Sequence, residues 1–70
     1  MPHIAVTMVS GRTDEIKQNL ADKIHKLVAE ELGIADTRVS VSIHDIESAD
    51  WKEFINEYKE DFFVKPGYPI

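Results

Sequence analysis

Ile4-Ala5-Val6-Thr7-Met8-Val9, followed by Ser10-Gly11-Arg12-Thr13-Asp14-Glu15, is the stretch that decides the fold. Ile4, Val6 and Met8 alternate with His3, Ala5, Thr7 and Val9, which predicts a strand over Pro2–Val9 with one strongly apolar face. Gly11 permits a tight turn, and Thr13 is a natural N-cap. Asp14 and Glu15 suit the positive end of a helix dipole. Ile16, Leu20, Ile24, Leu27 and Val28 then recur at helical spacing, predicting a helix over Asp14–Leu32 that Gly33 closes.

Downstream, Val39, Val41 and Ile43 alternate with Ser40, Ser42 and His44, a second strand pattern. Strand, long helix and strand form a βαβ unit, so the strands are expected to be parallel with a right-handed crossover. Ser48 is placed to cap a second helix, in which Trp51, Phe54, Ile55, Tyr58 and Phe62 fall on one stripe. Lys65-Pro66-Gly67-Tyr68 reads as a type II turn. The expected class is α+β, a βαβ unit plus a C-terminal helix. Two strands leave both sheet edges open, and an isolated pair is marginal in water, so another copy of the chain is expected to complete the sheet.

Composition points the same way. The chain has 70 residues, read as a single domain over 1–70, and no cysteine, which excludes disulfides and thiolate metal sites. A chain this short buries little core alone, and self-association is the remedy left. Eight basic residues against thirteen acidic ones give a formal charge of −5, which disfavours binding to a nucleic-acid backbone. No apolar run approaches a membrane span and no basic-then-apolar start resembles a signal peptide, so a cytoplasmic location is expected.

Two residues stand out chemically. Initiator methionine is normally trimmed before a small residue, so Pro2 is expected to become a free amino-terminal secondary amine. An ordinary α-amino group titrates at roughly 7.7–8.0, and burial or a nearby cation lowers that value. Such an amine can carry a proton between carbon and oxygen as a general base and acid. The other reading of Pro2 is simply a proline at a strand end. Arg12 stands just before the long helix, where the helix end favours an anion and disfavours an added cation. It makes sense if a carboxylate binds there, shared between the guanidinium and free backbone N–H groups. The other reading pairs it on the surface with Asp14 or Glu15.

Pro2 after the initiator methionine, a short β-run, Ser10-Gly11-Arg12-Thr13-Asp14-Glu15 and an amphipathic helix together resemble the 4-oxalocrotonate tautomerase family. The resemblance extends through Val39–Ile46 to Trp51. Met1-Pro2-His3-Ile4, the tryptophan and Lys65-Pro66-Gly67-Tyr68 are most similar to its short dimeric subgroup. The resemblance implies a tautomerase (MIF-like) fold, an oligomer (a homodimer rather than a hexamer) and a keto–enol tautomerase that needs no cofactor. It also implies that Pro2 is the catalytic base, that Arg12 binds a substrate carboxylate, and that Trp51 supplies an apolar wall. Many members carry a second arginine on the outer strand, and its position is Ser40 here. Arg38 lies two positions earlier, about 6–7 Å further along an extended strand, and cannot take that place. A monocarboxylate such as an arylpyruvate enol is therefore expected to suit the site better than a 2-oxo-dicarboxylate.

His3 is expected on the sheet face opposite Pro2, His25 in solvent, and His44 on the Ser40 face towards a pocket or an interface. No two histidines stand at helical ligand spacing, so no metal site is expected. Ser10, Ser40 and Ser42 have no Ser-His-Asp context in the sequence. The competing functions are hydration or dehalogenation of an unsaturated acid on the same proline, with Asp45 or Glu47 activating water, and a non-catalytic oligomeric binding module.

Overall fold

A computed structural model describes residues 1–64, so the turn expected in Lys65–Tyr68 lies outside the described residues. Strand β1 (His3–Val9) leads into helix α1 (Asp14–Leu32), and a 3₁₀ turn at Asp36–Arg38 precedes strand β2 (Ser40–Ile46). A second 3₁₀ turn (Ser48–Asp50) runs into helix α2 (Trp51–Asn56), and a third follows at Lys59–Asp61. The strands pair in parallel, His3 opposite Ser40 and Val9 opposite Ile46.

Local chemistry sets the boundaries. Proline has no N–H to donate, so the ladder begins at His3, while the Pro2 carbonyl accepts from Ser40 N at 3.2 Å. Gly11 sits at φ 127°, a conformation open to glycine, and lets the chain leave β1 for the helix. Thr13 caps α1 with its Oγ1, which accepts from Ile16 N at 3.2 Å. At the other end Gly33 takes φ 64°; its N–H donates to Glu30 O and that of Ile34 to Ala29 O, a Schellman closure. Val39 is the C-cap of the 3₁₀ turn and stands just outside β2, its N–H donating to Asp36 O at 3.1 Å. Arg38 lies within that turn, so strand alternation does not govern where it points.

Register assigns the two faces. Val41 and Ile43 line a groove with Lys17, Gln18 and Ala21, and Asp45 meets Lys17. Their pairing partners Ile4, Val6 and Met8 therefore share the α1 side. The opposite face carries His3, Ala5, Thr7 and Val9 beside Ser40, Ser42, His44 and Ile46. There Ala5 and Thr7 share a groove with Phe54, Ile55, Tyr58 and Phe62, so the aromatic stripe lies against the β1 part of this second face.

The second helix is shorter than its stripe suggests, and Ser48 makes no capping bond to it. Asp50 is the residue at the cap position, also without a side-chain bond. After Asn56 the bonds tighten to i→i−3, Glu57 N to Phe54 O and Tyr58 N to Ile55 O. Glu57, Glu60 and Asp61 cluster where a helix C-terminus repels negative charge, which explains the early stop. Trp51, Phe54 and Tyr58 nevertheless stack in series, with ring centroids 5.8 and 5.0 Å apart.

Among the described residues only Ala29 and Val39 are buried, and no side chain is fully enclosed. Ile16, Leu27 and Leu32 on α1 remain 52%, 62% and 57% exposed. Also among the described residues, no helix is long and apolar enough to cross a membrane.

Candidate active site

Pro2 enters at the N-terminal end of β1, half-buried, with its carbonyl pinned by Ser40 N. Ser40 opens β2 at the same end, and its Oγ lies 2.7 Å from His3 Nδ1. These two of the four expected site residues are thus neighbours in one protomer. Arg12 and Trp51 are not with them. Both are carried by segments that leave the C-terminal end of the parallel strands, Arg12 after β1 and Trp51 after β2.

Arg12 is exposed, and its Nη1 donates to Val9 O at 3.1 Å rather than meeting Asp14 or Glu15. Asp14 lies instead 3.8 Å from Lys17 Nζ. One hydrogen bond to a carbonyl orients the guanidinium and leaves most of its donors for an anion. Between Pro2 and Arg12 runs the whole of β1, roughly 20–25 Å at the usual rise of an extended chain. A small acid therefore cannot touch both within one protomer. Nor is either residue part of the groove of about 490 Å³ along α2, lined by Ala49, Lys52, Glu53, Ile55, Asn56 and Lys59. The groove of about 300 Å³ under the aromatic stripe holds neither of them.

Of the three histidines, His25 departs from its expected place, whereas His44 shares the Ser40 face as expected. His25 is half-buried and donates from Nε2 to the Val39 carbonyl at 2.9 Å, instead of standing in solvent. His3 lies on the face of Ser40, Ser42 and His44. Its Nε2 is 2.9 Å from Ser42 Oγ, which in turn is 2.9 Å from His44 Nε2. Ser40, His3, Ser42 and His44 thus form one hydrogen-bonded chain along an exposed face. Alternation showed that 40, 42 and 44 share a face, but only the parallel register brings His3 beside them. Both ring nitrogens of His3 are taken by serine hydroxyls, so no carboxylate completes a hydrolytic triad there.

Asp45, a candidate for activating water, is on the α1 side, where Lys17 Nζ holds it at 2.6 Å. That bond, ahead of the surrounding charges of Asp45 and Asp14, holds Lys17 above the ordinary lysine range against the opposing effect of burial. Among the described residues no three histidine, aspartate or glutamate side chains are grouped to hold a metal ion.

The sequence matches the family model described as "Tautomerase enzyme" over residues 2–52. A probable tautomerase of Xylella fastidiosa (strain 9a5c) is 34% identical over 73 residues, covering 97% of this chain and 89% of its own. A 2-hydroxymuconate tautomerase of Bacillus subtilis (strain 168) is 39% identical over 67 residues, with 96% and 89% covered. Another protein of that name, from Comamonas testosteroni, is 31% identical over 51 residues, with 73% and 81% covered. Since the matched stretch opens on Pro2 and takes in the whole βαβ unit and the start of α2, the chain belongs to the tautomerase family of isomerases.

Proposed function

We infer that Pro2, freed by removal of Met1, is the base of a cofactor-independent keto–enol tautomerase acting on an enol or 2-oxo monocarboxylate such as an arylpyruvate. The observation that carries this reading is the placing of Pro2 at the open end of β1, half-buried and anchored through its carbonyl by Ser40. Freed of Met1, its nitrogen is a secondary amine on a rigid ring. Unprotonated, it takes the proton of the enol hydroxyl as the C–O bond becomes a carbonyl. The protonated amine then returns a proton to the neighbouring carbon, so the net change is a shift of one proton from oxygen to carbon.

Arg12 holds the substrate carboxylate and Trp51 the apolar end. Because the length of β1 separates Arg12 from Pro2, the site is shared: Pro2 of one protomer meets Arg12 of the partner subunit. Exposure of Ile16, Leu27 and Leu32, in a chain with two buried residues among those described, supports an assembly that covers them. A homodimer is the favoured state, and sedimentation at several concentrations distinguishes it from a hexamer.

The monocarboxylate preference rests on Ser40. A neutral hydroxyl stands where many family members have a second arginine, and Arg38 is in a 3₁₀ turn outside the strand. The names of the Bacillus and Comamonas relatives favour a second reading, a dicarboxylate such as 2-hydroxymuconate. Comparing kcat/KM for the two substrate types decides between them. Hydration through Asp45 is disfavoured because Lys17 already engages that carboxylate, on the face away from Ser40.

The primary test is ketonisation of phenylenolpyruvate by the wild type and Pro2→Ala, with intact mass establishing that Met1 is gone. Removing a general base is expected to lower kcat by about 100-fold or more. Equal rates for a folded Pro2→Ala variant would sink the assignment.

A further inference from the structure

The Ser40–His3–Ser42–His44 chain has a consequence for how a ligand oxygen is received. A serine hydroxyl has one proton to donate, and a neutral imidazole has one N–H and one bare nitrogen. Ser42 Oγ lies 2.9 Å from both His3 Nε2 and His44 Nε2, and with one proton and two lone pairs it either accepts from both or donates to one and accepts from the other. The tautomer of His3 sorts these arrangements into two polarities at Ser40. In one, Ser40 donates to His3 Nδ1 and His3 Nε2–H donates to Ser42, whichever way Ser42 and His44 share their proton. Ser40 then offers only lone pairs. In the other, His44 donates to Ser42, Ser42 to His3 Nε2, and His3 Nδ1–H to Ser40 across 2.7 Å. The Ser40 proton is then free to point outward.

A carboxylate or carbonyl oxygen only accepts, so it binds the second polarity alone. We propose that His3 is a positioning residue that turns the Ser40 hydroxyl into an outward hydrogen-bond donor for an oxygen of the bound 2-oxo acid. This rests on the tautomerase reading above. Ser40 is the group that touches the ligand; His3 acts through it, and Ser42 and His44 fix the His3 ring by its far nitrogen. The arrangement places an oriented neutral donor, in place of a cation, at the Pro2 end of the sheet. It suits a carbonyl or a shared carboxylate oxygen better than a second full charge.

The test is a double-mutant cycle on His3 and Ser40, reading kcat and KM with phenylenolpyruvate and the Kd of phenylpyruvate by calorimetry. Ser40→Ala is expected to raise KM and Kd by about ten-fold, the size of one hydrogen bond to a ligand. His3→Phe is expected to raise them about three- to five-fold in the wild-type background and not at all in Ser40→Ala, because its effect passes through that hydroxyl. His3→Asn keeps an N–H near the Nδ1 position and is expected to stay within about two-fold of wild type. Equal effects of His3→Phe in both backgrounds overturn the proposal, as does an unchanged Kd in either single variant. So does a folded His3→Asn as impaired as His3→Phe. Pro2→Ala run alongside keeps the two readings apart. If it retains the wild-type rate, the base assignment fails, whereas the Kd comparison still judges His3 and Ser40.

Discussion

Lys17 Nζ lies 2.6 Å from Asp45 Oδ2, joining the first turn of α1 to the C-terminal end of β2. The two residues are 28 positions apart, and the pair is half-covered, with side chains 21% and 38% exposed. It fixes how the helix lies across the sheet, and it occupies the one strand carboxylate that faces α1.

This pair makes a pH prediction. Lys17 is held above its ordinary range in the folded chain, so its contribution is complete below the unfolded lysine pKa and is lost as pH rises through the raised value. Lys17→Met is expected to melt at a lower temperature than wild type near neutrality. The gap should close at strongly alkaline pH. A difference in Tm that stays constant across that range would contradict the assignment.

Thr13→Ala removes the oxygen that receives Ile16 N–H. Loss of one N-cap of this kind is expected to cost about 1 kcal/mol. Urea unfolding at fixed chain concentration measures it, since the proposed assembly would make apparent stability concentration-dependent.

Gly33→Ala probes backbone conformation alone. A methyl group there meets nothing within 4 Å, yet the residue sits at φ 64°. The expected loss is about 1 kcal/mol, arising from the left-handed conformation and not from a clash.

Arg12→Gln keeps a donor on a shorter stem while removing the charge. Losing a charge-assisted bond to a carboxylate is expected to reduce kcat/KM by roughly 10- to 100-fold, mostly through KM. Mixing inactive Pro2→Ala protomers with Arg12→Gln protomers tests sharing of the site. Recovery of activity in the mixture is expected, because hybrid assemblies contain one intact pair.

Leu27→Glu is a surface change if the chain stands alone, given its 62% exposure. In an assembly that covers α1 it introduces a buried charge. Sedimentation is expected to show dissociation at low micromolar concentrations, and activity should fall with it.

Much of the fold was legible in the chain itself. The N-cap Thr13, the helix limits Asp14 and Leu32 and the closing Gly33 all stand where periodicity and capping chemistry put them. These are local effects, decided within a few residues. The second helix was less legible because its apolar stripe runs on past the point where Glu57, Glu60 and Asp61 disfavour a helical end. Spacing alone reports the buried side and not where the hydrogen bonds stop.

For the proposed site, Pro2, Arg12, Ser40 and Trp51 are candidates that the sequence offers, but it does not say how they stand in space. That Pro2 and Ser40 are neighbours while Arg12 and Trp51 leave the other end follows from the parallel register. The same register brings His3 to Ser40 across 37 positions and Lys17 to Asp45 across 28. The sequence by itself determined the elements, their caps and the apolar faces, because those depend on contacts between near neighbours. Tertiary structure alone decided which polar groups meet, because pairing two strands in parallel joins residues through a crossover helix whose length, not whose composition, sets the offset.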